Sequence, residues 1–591
     1  MPNKVLRCGL RAVADRALLS IATINAAIQE ISTSEEKYLL TDQVIRGTPF
    51  KVFKNGPKNL RDVLDLCIAY GDADFLVYEE ERYTFADVYR RTHRLAHVLV
   101  EVYGVKPGDR VALLMRNLPE YPMLFMALAS VGAVTVFLNS WWTSRELEHA
   151  FGDCDAKLAF VDAARAELLK PFAGKLGVEF ATVRGPRTEK IPAFWGHMDA
   201  GPESLSPSVD IEPDDDFAVM YTSGSSGHPK GVVLTHRGIT CAMQSWFFMA
   251  RVYEVTGDEV PGANIDSDGN AYQGCKIVTT PFFHISGSVA GFLMCLWAGL
   301  KLVIMHKWDA HRAAELVDKE KVSHFSGVPT MTAELIEAAA DMGSSLQYLR
   351  RVDSGGSKRP PAQVDLLAKS IPHALPGNGW GMTETGGLGI SARGPEYIKY
   401  PDSSGRLQPP LQEMRVVDEQ GRDVPRGEVG ELVIKSVTNM RCYLNQMEET
   451  AKVLRDGWLH TGDLVRVNDE EIIFMVDRKK DMVIRGGENI SCSEVHAALH
   501  VHPDIAEAAV FSIPDSRLGE TVGACVYLRK GAKLSGEGVK EFLSSHLAAF
   551  KIPDRVWFSD KSLPRGGSEK IDRRALRSSC LEGEVASEPG N

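Results

Sequence analysis

Three things are missing from this chain, and each absence narrows what it can be. There is no C-x-x-C pair among its ten cysteines. That excludes a zinc or redox site of that spacing, and scattered thiols fit a reducing compartment better than a disulfide framework. There is no surplus of basic charge: a net charge of -11 argues against nucleic-acid binding, which needs a basic face, and leaves room only for a local basic pocket. There is also no clean membrane span. Tyr121 to Ser144 and Ile277 to Leu300 lack Asp, Glu, Lys and Arg over spanning lengths. Pro122, Asn139 and Ser140 interrupt the first, however, and Pro281, His284, Ser286 and Ser288 the second. Buried helix-plus-strand pairs of an α/β core read the same way, so no integral membrane segment is expected.

What is present is an ordinary globular composition, 44% hydrophobic and 25% charged, in a chain of 591 residues. Roughly 100 to 200 residues per domain predicts three or more structural units. Near the start, Lys4, Arg7, Arg11 and Arg16 stand against the single acid Asp15. That is a faint organelle-presequence pattern, for which an ordinary N-terminal helix is the simpler reading, and the expected location is the cytoplasm or an organelle lumen. The terminal Glu588-Pro-Gly-Asn591 is not a peroxisomal tripeptide, and residues 581–591 read as a disordered tail.

The chain is organised around Tyr221-Thr-Ser-Gly-Ser-Ser-Gly-His-Pro-Lys-Gly231, set between the apolar runs Phe217 to Met220 and Val232 to Leu234. Gly224 and Gly227 let the backbone curl tightly and bring N–H groups to a ligand. The hydroxyls of Thr222, Ser223, Ser225 and Ser226 and the ammonium of Lys230 add donors and charge. Such chemistry suits a polyphosphate. It is not a Walker A loop, because Lys230 is preceded by Pro229 and followed by Gly231. By composition alone a flexible surface loop reads equally well.

Elsewhere the pattern is that of layered α/β structure. Thr84-Phe-Ala-Asp87 is a capping-box helix start, with Val88, Leu95, Leu99 and Val102 on one face before Gly104. A Pro107-Gly108-Asp109 turn and the strand Arg110 to Met115 follow, and the alternation continues to about Val161. Trp141 and Trp142 fit packing or a pocket wall. Thr256 to Asn270 predicts an exposed excursion. Beyond Tyr400, Met414 to Asp418, Gly430 to Lys435 and Ile472 to Val476 predict a β-rich subdomain. Ala508 to Ile513, Thr521 to Leu528 and a helix with Val539, Phe542, Leu543, Leu547 and Phe550 on its apolar face predict a final α+β unit.

Further strings follow the glycine-rich loop: Pro281-Phe-Phe-His284, Ser354-Gly-Gly-Ser357, Asn378-Gly-Trp-Gly-Met-Thr-Glu384, Thr461-Gly-Asp463, Asp477-Arg-Lys-Lys-Asp481, Arg485-Gly-Gly-Glu-Asn-Ile490 and Pro564-Arg-Gly-Gly-Ser-Glu-Lys-Ile571. Singly, each has a bland reading: a core histidine, a solvated glutamate, an exposed charge run. In this order they resemble the adenylate-forming superfamily of acyl-CoA synthetases, peptide-synthetase adenylation domains and beetle luciferases, over about Leu60 to Arg577. Asn139-Ser-Trp-Trp-Thr143 and Gly487-Glu-Asn-Ile490 give the tone of medium- to long-chain fatty acyl-CoA ligases.

The resemblance implies an α/β fold: a large N-terminal domain over residues 1–476, hinged at 477–481 to a small α+β domain over 482–580. Within the large domain it implies layered lobes over 60–210 and 211–400 and a small β-barrel-like subdomain over 401–476. It implies His284 beside the reacting carboxyl, Gly355, Gly356 and Ser357 in the loop against adenine, and Asn378, Gly379, Trp380 and Gly381 among the cofactor-binding residues. Thr383 would bond the α-phosphate and Glu384 would hold Mg2+. Asp463 and Arg478 would take the ribose, and Gly486 and Gly487 would line a CoA channel. Lys480 would be the pivot and Lys570 the cation of adenylation. Glu569 stands where glycine is usual before that lysine, and Asp477 where the hinge often has glycine.

The implied reaction joins a carboxylic acid, ATP and CoA through an acyl-AMP, with domain rotation between the two halves. A fatty acid is the first expectation. An aryl-CoA ligase of the coumarate or benzoate kind, or an adenylation enzyme loading a carrier protein, is the alternative. A non-catalytic nucleotide-binding homologue comes third. No early pocket Asp is found among Pro281 to Ser288, which counts against an amino-acid substrate.

Overall fold

The computed structural model describes residues 19–185, 206–222, 229–257, 264–266, 269–356, 359–479, 481–485, 488–566 and 570–586. Two sheets form the body of the large domain. The first has seven strands in the order Cys442–Tyr443, Lys230–Thr235, Asp216–Thr222, Val134–Phe137, Arg110–Leu114, Leu158–Asp162 and Glu179–Val183. The last five are mutually parallel, and the first two add antiparallel strands at one edge. The second has nine strands, in the order Arg406–Leu407, Ile390–Arg393, Leu375–Trp380, Arg351–Gly355, His324–Gly327, Cys275–Val278, Lys301–Ile304, Asp74–Tyr78 and Glu81–Thr84.

This topology departs from lobes taken in chain order. The glycine-rich hairpin belongs to the first sheet, through the parallel pairing of Asp216–Thr222 with Val134–Phe137, and not to the lobe of residues 211–400. Asp74–Tyr78 and Glu81–Thr84 conversely complete the second sheet. Strand alternation reveals a strand but not its neighbour, and these neighbours are far apart in the chain.

Helix Phe85–Glu101 starts as its sequence dictates: Thr84 accepts from the Asp87 amide while Asp87 accepts from the Thr84 amide. Val88, Leu95 and Leu99 are buried, but Val102 lies past the helix end and is exposed. Every residue of helix Glu120–Ser130 is buried. It packs in one cluster with residues of both sheets, including Phe137, Phe217 and Val278, and with Phe292 of the turn Ser288–Leu293. The first charge-free stretch is therefore a core helix followed by the strand Val134–Phe137, and among the described residues no helix is long and apolar enough to cross a membrane.

A third, antiparallel sheet holds Glu413–Val417, Val429–Lys435, Leu454–Arg455, Trp458–Val467 and Ile473–Arg478 and supplies the β-rich subdomain. The C-terminal domain has a five-stranded sheet around Ile505–Asp515 and Gly519–Leu528. Helices Cys492–Leu499, Gly536–Ser544 and Arg573–Leu581 complete it. Val539 and Leu543 are buried in its core, whereas Phe550 lies beyond the helix, on the surface. Between the two domains the buried Asp477 accepts from the Ser493 amide at 3.0 Å and the Ser491 hydroxyl at 3.0 Å. It ties the last strand of the large domain to the first helix of the small one.

Candidate active site

The parallel strands of the nine-stranded sheet end on one side of the molecule, and their carboxyl ends carry much of the candidate site. His284 follows Cys275–Val278; Gly355 and Gly356 close Arg351–Gly355; Asn378, Gly379 and Trp380 close Leu375–Trp380, and Gly381 leads into the turn Thr383–Thr385. Ligand crevices of open α/β sheets form at this end. The seven-stranded sheet brings in Thr222 and Lys230, the two ends of the glycine-rich hairpin. These residues, with Glu384, Arg478 and Lys570, line one cleft of about 1070 Å³. Asp463 sits behind its wall, 2% exposed.

Three carboxylates and three cations set the electrostatics. Glu384 is 7% exposed, and Tyr443 donates its hydroxyl to Oε1 at 3.0 Å. Burial raises its pKa against the opposing Tyr443 bond. Asp463 accepts from Trp380 Nε1 at 2.8 Å and pairs with Arg478 Nε at 3.1 Å; it too is raised, chiefly by burial. Lys230 is paired with Glu449 at 2.6 Å, so its charge changes partner if a phosphate takes it. Lys570 enters from the C-terminal domain. Surrounded by protein yet still open to the solvent of the cleft, its ammonium is lowered to about 8, first by burial and then by Arg478.

Gly356 shows how closely Lys570 approaches. A Cβ placed there would lie 2.8 Å from Lys570 Cε, and the backbone has φ +81, a conformation open to glycine at no steric cost. A short β-bridge between Arg565 and Ile571 presents the lysine. Ser223, Gly224, Ser225, Ser226 and Gly227, and likewise Ser357, Lys480, Gly486, Gly487 and Glu569, lie outside the described residues.

Several residues that shape the site carry no local signature. Tyr443 and Glu449 reach Glu384 and Lys230 from distant segments. Arg565, which lies within the string Pro564 to Ile571 but had no role read for it there, bonds Thr330 Oγ1 at 3.2 Å in the large domain and Glu507 at 2.7 Å in the small one. Lys276 left a trace of its own, as a charge inside an otherwise apolar strand. Trp141 and Trp142, from one of the two strings that gave the chain its fatty-acyl tone, stand outside the cleft lining. Arg116 lies 4.0 Å over the Trp141 ring, and Trp142 packs edge-on against Tyr221 at 5.8 Å.

Comparison with known proteins agrees with this geometry. Residues 67–444 match the AMP-binding enzyme family, and residues 494–570 match the AMP-binding enzyme C-terminal domain. The chain belongs to the AMP-binding enzyme family and is an AMP-forming ligase by class. Among curated proteins it is similar to 4-coumarate–CoA ligase 3 of Oryza sativa subsp. japonica, 32% identical over 85% of this chain and 88% of that protein. It is also similar to feruloyl-CoA synthase of an Amycolatopsis species, 33% identical over 84% and 93%. Among solved structures, a fatty acyl CoA synthetase of Mycobacterium tuberculosis superposes with a TM-score of 0.67 at 27% identity, over 89% of this chain and 99% of that one. An anthranilate CoA ligase in complex with anthranoyl-AMP shares the fold, with a TM-score of 0.79 at 23% identity over 89% and 98%.

Proposed function

We propose that this protein is an ATP-dependent acid–CoA ligase and that its acid is aryl, not a long fatty chain. The observation that carries the reaction is the meeting of Lys570 with Gly356 in the cleft that Thr383, Glu384 and Lys230 also line. The aryl preference is supported by relatives at 30–33% identity that are coumarate and feruloyl ligases.

A carboxylate and ATP repel each other, so the site must supply fixed positive charge where the attack occurs. Lys570 does so at the α-phosphate, with Thr383 as a hydrogen-bond donor and the Thr222 to Lys230 loop holding the β- and γ-phosphates. The acid's carboxylate oxygen attacks the α-phosphorus, the bond to the bridging oxygen breaks, and pyrophosphate leaves. The CoA sulfur then attacks the acyl carbon, its proton passing to solvent, and AMP departs on the carboxyl oxygen. His284 forms the wall beside the carboxyl, and Arg478, held from behind the wall by Asp463, takes the ribose. Between the half-reactions the small domain turns about residues 477–481.

Mg2+ fits the residues present. Among the described residues no three His, Cys, Asp or Glu side chains cluster as a metal cage. A cation here would take one carboxylate and complete its shell with phosphate and water, which is the habit of Mg2+. Glu384 would be that carboxylate; burial disfavours its charged form, and a cation beside it would favour that form again. Bound there, Mg2+ would neutralise phosphate charge.

Purified protein given ATP, Mg2+ and a panel of aryl, fatty and amino acids is expected to yield aryl-CoA, AMP and pyrophosphate by mass spectrometry, and aryl-AMP when CoA is withheld. An adenylate that CoA never consumes points to a carrier protein as acceptor. The absence of any adenylate overturns the ligase reading. The pH profile is a second test. Burial and Arg478 disfavour the charged form of Lys570, so the charge is lost as pH rises through about 8. Thus kcat/KM for ATP is expected to fall about tenfold per unit above that pH. A flat profile to pH 9.5 overturns the role of Lys570.

A further inference from the structure

Lys276 is the one charged residue of the strand Cys275–Val278, and it lines the cleft with Ser326, Asp353 and Ala290. Its ammonium donates to the Ala290 carbonyl at 2.8 Å. That carbonyl belongs to the π-helical turn Ser288–Leu293, and wide turns of this kind recur at functional sites. An ammonium has three donors, and this bond accounts for one. Among the described residues no carboxylate lies within ion-pair distance of Lys276. A half-buried cation without a counter-ion is costly unless a ligand supplies acceptors.

Its depth is set by register. Lys276 is level with His324 and, through it, with Arg351. Arg351 stands four residues before Gly355 on its strand, or roughly 13 Å deeper at about 3.3 Å per residue. Lys570 approaches at the shallow level of Gly356. The span between them suits an aromatic ring carrying a short acid chain. The cations at this level are Lys276 and Arg351; His324 between them is pushed down to about 3, first by burial and then by both of them, and so stays neutral. One anion, Asp353, lies on the same sheet face, in register with Ser326.

Resting on the ligase reading, we propose that Lys276 reads an oxygen at the far end of the acid, and that the substrate is an aryl acid with a ring hydroxyl distal to its carboxyl. A hydroxyl both accepts and donates, so it can take the Lys276 ammonium and give its proton toward Asp353. A second carboxylate would satisfy Lys276 but face Asp353. A methyl terminus would leave the ammonium desolvated with unused donors.

The test compares kcat/KM for 4-coumarate, cinnamate, hexanoate and an ω-dicarboxylic acid of matched length in the wild type, Lys276→Met and Lys276→Gln. Lys276→Met keeps the length of the chain and removes the charge, and thermal unfolding checks that both variants fold. The wild type is expected to favour 4-coumarate over cinnamate. That ratio is expected to fall about 10- to 100-fold in Lys276→Met, the worth of a hydrogen bond to a charged donor, and by less in Lys276→Gln. An unchanged ratio in a folded, active Lys276→Met overturns this inference while leaving the ligase reading intact. A dicarboxylate preferred over 4-coumarate, and lost in Lys276→Met, overturns the hydroxyl assignment. No turnover of any acid by the wild type overturns the ligase reading instead.

Discussion

Lys570→Ala is expected to lower acyl-AMP formation by about 10³-fold, the upper range for removing one preorganised charge-stabilising donor, while transfer from supplied acyl-AMP to CoA remains largely intact. The asymmetry follows from where the lysine comes from. It belongs to the small domain but lies against Gly356 of the large one, so it acts only while the two are docked this way. Positive charge matters when two anions are pressed together. It matters far less when a neutral acyl carbon is attacked by sulfur. Single-turnover assays of each half-reaction separate the cases, and equal loss in both would remove Lys570 from its place in the first step. Gly356→Ala offers a check from the other side. The added methyl would meet Lys570 Cε at 2.8 Å, and adenylation is again expected to suffer more than transfer.

Much of the site could be read from the sequence because its parts are short strings at strand ends, where glycines and hydroxyls stand out against apolar runs. Thr222, Lys230, His284, Gly355, Gly356, Asn378, Thr383, Glu384, Arg478 and Lys570 come from six such strings and meet in one cleft. What escaped is what lies across space. The hairpin's sheet was misassigned because Asp216–Thr222 pairs with a strand some eighty residues earlier, and alternation says nothing of partners. Tyr443 and Glu449 were invisible because an ordinary tyrosine and a surface-looking glutamate have no pattern until they reach Glu384 and Lys230. Asp477 looked like a departure from a hinge glycine, yet its buried carboxylate organises the start of helix Cys492–Leu499. The fatty-acyl tone rested partly on Trp141 and Trp142, which stand outside the cleft lining, so it could not report on the acid.

Arg565→Ala is expected to slow adenylation by about 10- to 100-fold, the scale of a misplaced catalytic group, and to spare transfer from supplied acyl-AMP. Arg565 touches neither nucleotide nor acid in this reading; it is a positioning residue. One guanidinium nitrogen donates to Thr330 Oγ1, near the start of helix Pro329–Met342. Another donates to Glu507, whose second oxygen accepts from the Leu563 amide at 2.8 Å. The guanidinium thereby fixes the hairpin that ends in Lys570 to both domains at once. A cross-domain ion pair, Arg529 with Glu337 at 3.6 Å, is more than half exposed at both ends, and such surface pairs contribute little. Docking in this orientation therefore leans on Arg565. The signature that distinguishes positioning from general damage is threefold: kcat for adenylation falls more than KM for the acid rises, the half-reactions diverge, and Arg565→Lys, which keeps one donor and the charge, recovers part of the rate. A uniform loss across both half-reactions, or no recovery in Arg565→Lys despite normal folding, would mean that the latch does not set the position of Lys570.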